Sequence, residues 1–283
     1  HDGHANDVFG AHAKHWFESR DGMVIALTDP WVLWPDLVKR MPLAAWTPVD
    51  HDPLMEDTAD WFEKTAAIPI AMSRFGECMM RDAGLDPLYV PHGFDATTFF
   101  ERDRGDSRIA TGFPADAFVV GIVAANKGVP SRKGFGQALK AFQVFDERHP
   151  GESILYLHTH VRNPEGEDLA AMCRRLRIKP RIVHQYYYSA LGIAAESVAE
   201  VMSSFDVLLN LAHGEGFGLP IVEAMSCGVP AIVTDFSSMP EIVGGTGWLV
   251  EGQEEWTAFN SNQMCPNIEA AVEALESAYA EAA

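Results

Sequence analysis

The chain has 283 residues, 47% of them hydrophobic and 22% charged, with 40 Asp and Glu against 21 Lys and Arg for a formal net charge of −19. That length carries two domains with a core each, and no stretch approaches the ~20 uninterrupted apolar residues of a membrane-spanning helix. Residues 182 to 283 contain no Lys or Arg but 14 Asp and Glu, a surface that repels phosphate backbones and anionic lipid heads and so disfavours nucleic acid and charged membrane as partners.

An anionic ligand must therefore take its countercharge from upstream of residue 182 or from backbone amides. The four cysteines (Cys78, Cys173, Cys227 and Cys265) are widely spaced, with no C-x-x-C pair. They read as buried thiols of a reduced, cytoplasmic protein. The chain opens at His1 without an apolar or basic leader.

In chain order, HDGHANDVFGAHAKHW offers His1, His4, His12 and His15. H-x-x-H on a helix can bind zinc, but no Cys or acidic partner sits at fitting spacing, and these read as surface histidines. MVIALT (23–28), AAWTPV (44–49), AIPIAMS (67–73) and LYVP (88–91) read as strands. WPDLVKRM, TADWFEKTA and FGECMMRDAG read as the helices or turns between them. PHGFDATTFF (91–100) reads as a junction, after which the charged run ERDRGDSR begins the second half.

There the strands AFVVGIVAA (117–125), SILYLHTHV, RIVH, FDVLLNLA and PAIVTD alternate with the helices GQALKAFQVFDE, EDLAAMCRRLR, ESVAEVMSS and LPIVEAMSCG. A short helix, MPEIV, follows. From 252 onward the tail is acidic and ends in the helical NIEAAVEALESAYAEAA. Near-continuous Val/Ile/Leu strands separated by helices imply an α/β fold of doubly wound parallel sheets covered on both faces. The expected domains are 1–96 and 97–283.

The segment HGEGFGLPIVEAMSCGVP (213–230) carries the chemistry. DVLLNLA ends a buried strand, GEGFG turns, and Pro220 stands where a helix begins and a missing N–H costs nothing. Ligands in such folds collect at the carboxyl ends of the strands. Glycines 214, 216 and 218 let the backbone come close, and the amides of Phe217, Gly218 and Leu219 offer an anion site backed by the helix dipole. Glu215 on the lip of the turn and Glu223 on the first helical turn can face one crevice, where carboxylates accept strongly from sugar hydroxyls. A sugar, a diphosphate and a ribose suit that order. The structural alternative is that the carboxylates merely complement the helix dipole, at ~0.3–1 kcal/mol each; it explains neither the three glycines nor a glutamate inside the turn.

GEGFGLPIVEAMSCGVPAIVTD is similar to the glutamate–seven–glutamate signature of the retaining glycosyltransferases of family 4, and SMPEIV followed by GTGWLVE continues the match. VPHGFD resembles that family's interdomain segment, with His92 in place of the usual Asn. FVVGIVAANKGVPSRKGFGQALKAF resembles its phosphate-binding strand, loop and helix. The similarity covers about residues 20 to 250. It implies the GT-B fold, in which two Rossmann-like domains face a cleft. Nothing before MVIALT matches the strand and glycine-rich loop that open the family's N-terminal domain, so that domain is expected to be incomplete and to leave sheet edges exposed.

The resemblance implies transfer of a hexose from a nucleotide-diphosphate sugar (UDP, GDP or ADP sugar) to a hydroxyl acceptor, a saccharide or a lipid, with no metal or other cofactor. Glu215 would contact hydroxyls of the transferred sugar and Glu223 the ribose. The turn (Gly216, Phe217, Gly218, Leu219) would serve the β-phosphate and sugar. Lys133 matches the family's usual diphosphate lysine. Asn126-Lys127 stands where Gly-Arg is usual, so Lys127 replaces an arginine and loses its bidentate fork, while Arg132 can contribute. Ala212 stands where most members have Ser. His184 and Gln185 lie where the base usually sits, and His51 in WTPVDHDPL is the candidate histidine beside the sugar.

With Lys133 and Glu215, His51 completes the expected catalytic set. Three other readings stand beside this one. Asp50-His51-Asp52 could be the D-x-D metal motif of the other glycosyltransferase architecture, GT-A. The chain could bind nucleotide sugar without turnover. Glu215 and Glu223 could be a glycoside hydrolase pair, although phosphate-binding features have no purpose there.

Overall fold

The computed structural model of the protein describes residues 4, 6–18, 21–38 and 41–282, and the chain divides into two compact units. The first comprises the residues up to His92 together with Glu215–Phe217 and Glu255–Gln263; the second comprises Gly93–Gly214, Gly218–Glu254 and Met264 onward.

In the first unit the elements are α1 (Asn6–Phe17), β1 (Val24–Leu27), α2 (Pro35–Val38), β2 (Leu43–Thr47), α3 (Glu56–Lys64), β3 (Ile68–Ala71), α4 (Arg74–Asp82) and β4 (Leu88–Tyr89). Its four strands are parallel in the order β1-β2-β3-β4. Sequential order with right-handed crossovers puts the connections on one face. There Ala26, Leu43, Ala45 and Ala71 form a core with Leu33, Trp61, Phe62 and Met80. On the other face Ile25, Leu27, Ile68 and Leu88 are exposed, while Ala44 and Ile70 between them are buried.

Asn6 ties α1 to the segment after β1: its Nδ2 donates to the Val32 carbonyl (2.9 Å) and its Oδ1 accepts from the Trp34 amide (2.9 Å). His4, His12 and His15 are exposed, as expected of surface histidines, and His1 lies outside the described residues. Of the four thiols, Cys173 and Cys227 are buried, but Cys78 is exposed on α4 and Cys265 is half-buried. The expectation of four buried thiols is corrected to two.

The second unit begins with α5 (Arg104–Thr111), which the charged run ERDRGDSR had concealed. Asp103 caps it, accepting from the Asp106 amide at 2.9 Å, and Gly112 ends it in the left-handed region. Arg104 and Arg108 both pair with Asp206, whose Oδ2 also accepts from the Val119 amide (2.7 Å). Of these charges Arg108 and Asp206 pair in the interior, while Arg104 reaches the same carboxylate from the surface.

Then follow β5 (Phe118–Val123), α6 (Phe135–Arg148), β6 (Ser153–His158), α7 (Leu169–Leu176), β7 (Arg181–Ile182), α8 (Ala195–Met202), β8 (Val207–Asn210), α9 (Leu219–Ser226), β9 (Ala231–Thr234), α10 (Met239–Val243) and β10 (Trp248–Val250). A two-stranded ribbon, β11 (Gly252–Trp256) and β12 (Asn262–Pro266), precedes α11 (Ile268–Ala282). The acidic tail is therefore helical only from 268.

The six strands are parallel in the order β10-β9-β8-β5-β6-β7. One face packs Val120, Ile122, Leu155, Leu157, Leu209 and Ile232 against α6, α7 and α11. The other packs Val119, Leu208, Ala231 and Val233 against α8, α9 and α10. Burial on both faces explains the unbroken apolar runs. Each such Val, Leu or Ile contributes about 1.5–3 kcal/mol, more than a surface pair at about 0–1 kcal/mol, so these strands register by their hydrophobic content. The order reverses between β5 and β8, and the loops leaving these two strands flank the switch point where doubly wound folds hold ligands.

Candidate functional site

In the second unit the two switch-point loops are joined. The Arg132 carbonyl accepts from the His213 amide (2.7 Å), and Arg132 Nη1 donates to the Gly214 carbonyl (2.7 Å). Gly134, which starts α6 at φ +62°, sits so close to β8 that a Cβ would lie 1.8 Å from the Leu211 carbonyl oxygen. No other residue permits that approach. Arg132 thus spends part of its guanidinium on the turn after β8, which makes it a brace between the loops as well as a cation.

Lys127 and Lys133 share the β5–α6 loop with Arg132. Lys127 is exposed, its Nζ 4.0 Å from a Glu165 carboxylate oxygen, and Lys133 is half-buried. Preceding Lys127, Asn126 is 2% exposed and anchors the loop. Its Nδ2 donates to the His160 carbonyl (3.0 Å) and the Glu167 carbonyl (2.7 Å), and its Oδ1 accepts from the Glu167 amide (3.0 Å). A glycine in that position could make none of these side-chain bonds. The departure from the family's Gly-Arg pair is the signal that could have marked Asn126.

Helix α9 starts at Leu219, with Pro220 in its first turn and Gly218 before it. Among the described residues the amides of Gly218 and Leu219 donate to no protein acceptor. They stand at the positive end of the helix, a natural anion site. Glu223 is the fifth residue of α9 and so lies on the second turn, not the first, because the helix begins only after the glycine turn. Its carboxyl, half-buried with no partner among the described residues, is pushed up to about 7 by burial alone.

After β7, only Arg181–Ile182 of RIVH is strand. His184 is exposed, its ring 4.8 Å from that of Tyr187, and it borders a cavity of about 610 Å³ with Tyr156, Arg181, Glu196 and Glu200. Gln185 has its amide engaged by backbone: Oε1 accepts from the Val161 amide (3.0 Å), while Nε2 donates to the carbonyls of Thr159 (2.9 Å) and Val183 (3.0 Å). It clamps the loop to the end of β6, and its polar atoms are already used. Ala212 is fully buried.

In the first unit, Glu215 is 6% exposed. The next residue must be glycine: a Cβ on Gly216 would lie 2.4 Å from the Pro48 side chain. Phe217 follows, its ring 5.7 Å from that of His92, which in turn stacks on Trp46 at 4.9 Å and 26°. The histidine in place of the usual asparagine is thus the middle member of an aromatic pile.

His51, after β2, is 5% exposed. Its Nδ1 meets Asp50 Oδ1 at 2.7 Å, which fixes the ring and directs a proton to Nδ1. Nε2 is buried with no hydrogen-bond partner among the described residues, and the ring stands edge-on to Phe259 at 5.6 Å. The Asp52 side chain is exposed and its backbone pairs with Asn262. Asp50 and Asp52 are therefore employed separately, and among the described residues no three His, Cys, Asp or Glu side chains gather as metal ligands.

The structure thus brings Lys127, Arg132, Lys133, Gly218, Leu219 and Glu223 onto the second unit, while His51, Glu215, Gly216 and Phe217 belong to the first. Among solved structures, sucrose-phosphate synthase from Thermosynechococcus elongatus superposes with a TM-score of 0.71 at 18% identity, covering 98% of this chain and 68% of that one. Anabaena Alr3699/HepE in complex with UDP-glucose superposes with 0.61 at 19% identity, covering 85% and 67%. The shared fold is GT-B.

The serotype-specific mannosyltransferase WbdA of Escherichia coli is 26% identical over 178 residues, 56% of this chain and 21% of that protein. The D-inositol 3-phosphate glycosyltransferase of Actinosynnema mirum is 28% identical over 196 residues, 65% and 45% respectively. The chain therefore spans less than half the length of either relative. No helix among the described residues is long and apolar enough to cross a membrane. Residues 118–262, just over half of the chain, match the family described as glycosyl transferases group 1, and the chain belongs to that family.

Proposed function

We propose that the protein is a retaining glycosyltransferase that moves a hexose from a nucleotide-diphosphate sugar to a hydroxyl acceptor. The observation that carries this reading is the pair of switch-point loops: Lys127, Arg132 and Lys133 on one, and the unengaged amides of Gly218 and Leu219 beyond the other. These are cations and N–H donors at the switch point of the sheet, where doubly wound folds hold ligands. Glu223, already short of hydrogen bonds, accepts from the ribose hydroxyls. Glu215 and His51 serve the transferred sugar.

In the reaction the bond from the sugar's anomeric carbon to the β-phosphate oxygen breaks and a bond to the acceptor oxygen forms on the same face. The acceptor's proton passes to the departing diphosphate, whose charge the loop cations and amides stabilise. Catalysis is then chiefly positioning and electrostatics. The loop supplies the positive charge, so we propose that no metal is required, and that the reaction runs in the reducing cytoplasm, consistent with four free thiols.

Transfer assays with UDP-, GDP- and ADP-hexoses test this. Lys133→Ala should lower kcat/KM by about 10²–10³-fold with an unchanged far-UV spectrum. The product's anomeric configuration should match the donor's, and EDTA should leave the rate unaltered. Dependence on manganese would overturn the metal-free reading; donor binding with no transfer to any acceptor would mark a binding module instead.

A further inference from the structure

Three aromatic rings from separate segments converge at the carboxyl edge of the first unit's sheet. Trp31 lies in the 3-10 turn after β1, His51 in the loop after β2, and Phe259 at the tip of the ribbon. Trp31 and Phe259 stand 6.5 Å apart, tilted by 38°, and Phe259 meets His51 edge-on. Trp31 and Phe259 are nevertheless 40% and 45% exposed. Two large rings left this exposed forgo part of the ~150–250 Å² of burial each could gain. Together they offer solvent an apolar aromatic surface fixed at the end of the sheet.

The tip is held firmly for so exposed a piece. Asn262 exchanges two backbone bonds with Asp52 (3.1 and 2.8 Å), Ser261 Oγ donates to the Pro53 carbonyl, and Asn260 Nδ2 donates to Glu56 Oε2 (2.9 Å). Phe259 is thereby set in place before any ligand arrives, and ordering it on binding costs little. The groups that hold the tip are polar and acidic, with Asp52, Glu56 and Asn260 all exposed.

We propose that Trp31 and Phe259 form a stacking platform for the pyranose ring of a neutral saccharide acceptor, beside His51. Resting on the transfer reading above, this names the acceptor class. A pyranose offers an apolar C–H face to the rings and a belt of hydroxyls to Asp52, Glu56 and Asn260. An acyl chain would need an enclosed apolar groove, and a phosphorylated acceptor would meet the carboxylates of Asp52 and Glu56.

Saturation-transfer NMR on the full chain, with α-1,3-mannobiose and methyl α-D-glucopyranoside as probes and mannose 6-phosphate as the charged comparison, tests it. The neutral sugars should show signal on their C–H protons, with mannose 6-phosphate weaker. Trp31→Ala and Phe259→Ala should each weaken binding by about tenfold. Trp31→Phe and Phe259→Tyr, which keep a ring and its packing, should retain binding and so separate loss of the platform from loss of fold.

Equal affinity in the alanine variants, no signal from either neutral sugar at about 20 mM, or tighter binding of the phosphate would overturn the proposal. Donor binding, followed on the same samples by thermal shift, is independent of these rings. Its persistence without saccharide binding sinks the platform alone, and its absence beside intact, ring-dependent saccharide binding sinks the donor reading alone.

Discussion

Glu223 is where chemistry and stability oppose each other. Burial raises its carboxyl from an ordinary 4.5 to about 7, so between those values the folded protein holds a proton that the unfolded chain releases. The sign follows: the group destabilises the fold progressively as pH rises through that window, fully above about 7, and not at all below the unfolded value. Glu223→Gln should therefore melt higher than the wild type at about pH 8, with the gap closing toward about pH 4.5, while its affinity for the donor falls. Melting curves across pH check the first part, and a variant less stable at every pH would show that the carboxylate has a structural partner instead. At this scale the sequence displayed the acids and cations of the site but not their supports. Asp50 beside His51, and Asn126 beneath the cationic loop, act through geometry that only the fold supplies, and Gln185 proves to be a backbone clamp because the turn after β7 points its amide at β6.

Among elements, the strands of the second unit were legible because both faces are buried, which leaves runs such as FVVGIV nothing else to be. α5 was missed because its charges look like a linker's, yet Asp103 and Gly112 were readable as its caps. The ribbon was missed because GQEEW is polar and almost wholly exposed, and its turn depends on Asn260 at φ +52°. The joint between the switch-point loops yields a prediction at this scale. Gly134→Ala would drive a Cβ into the Leu211 carbonyl and should destabilise the protein by about 3 kcal/mol or more, from strain and the forced separation of the loops. Denaturant titration measures this, and a loss under about 1 kcal/mol would mean the loops part easily and do not form a rigid cradle.

For the whole molecule, the alternation of strands and helices was enough to read an α/β protein of parallel sheets, whereas the anion site was read from the glycine turn at 214–218 and from the family resemblance. A chain with a net charge of −19 and no Lys or Arg after residue 181 has few places to hold an anion, and the fold sets three of its cations on the loop beside the reversal in strand order. Strand order and the ribbon's return were not legible, since they depend on contacts between distant segments. The account's central claim is that this loop and the start of α9 hold a nucleotide diphosphate. Isothermal titration of the full chain with UDP-, GDP- and ADP-hexoses tests it most directly. One nucleotide class should bind in the micromolar to millimolar range, with a proton released as Glu223 ionises, and Lys133→Ala and Glu223→Gln should each weaken it by about tenfold or more. No binding of any donor at millimolar concentration, or binding indifferent to both substitutions, would contradict it.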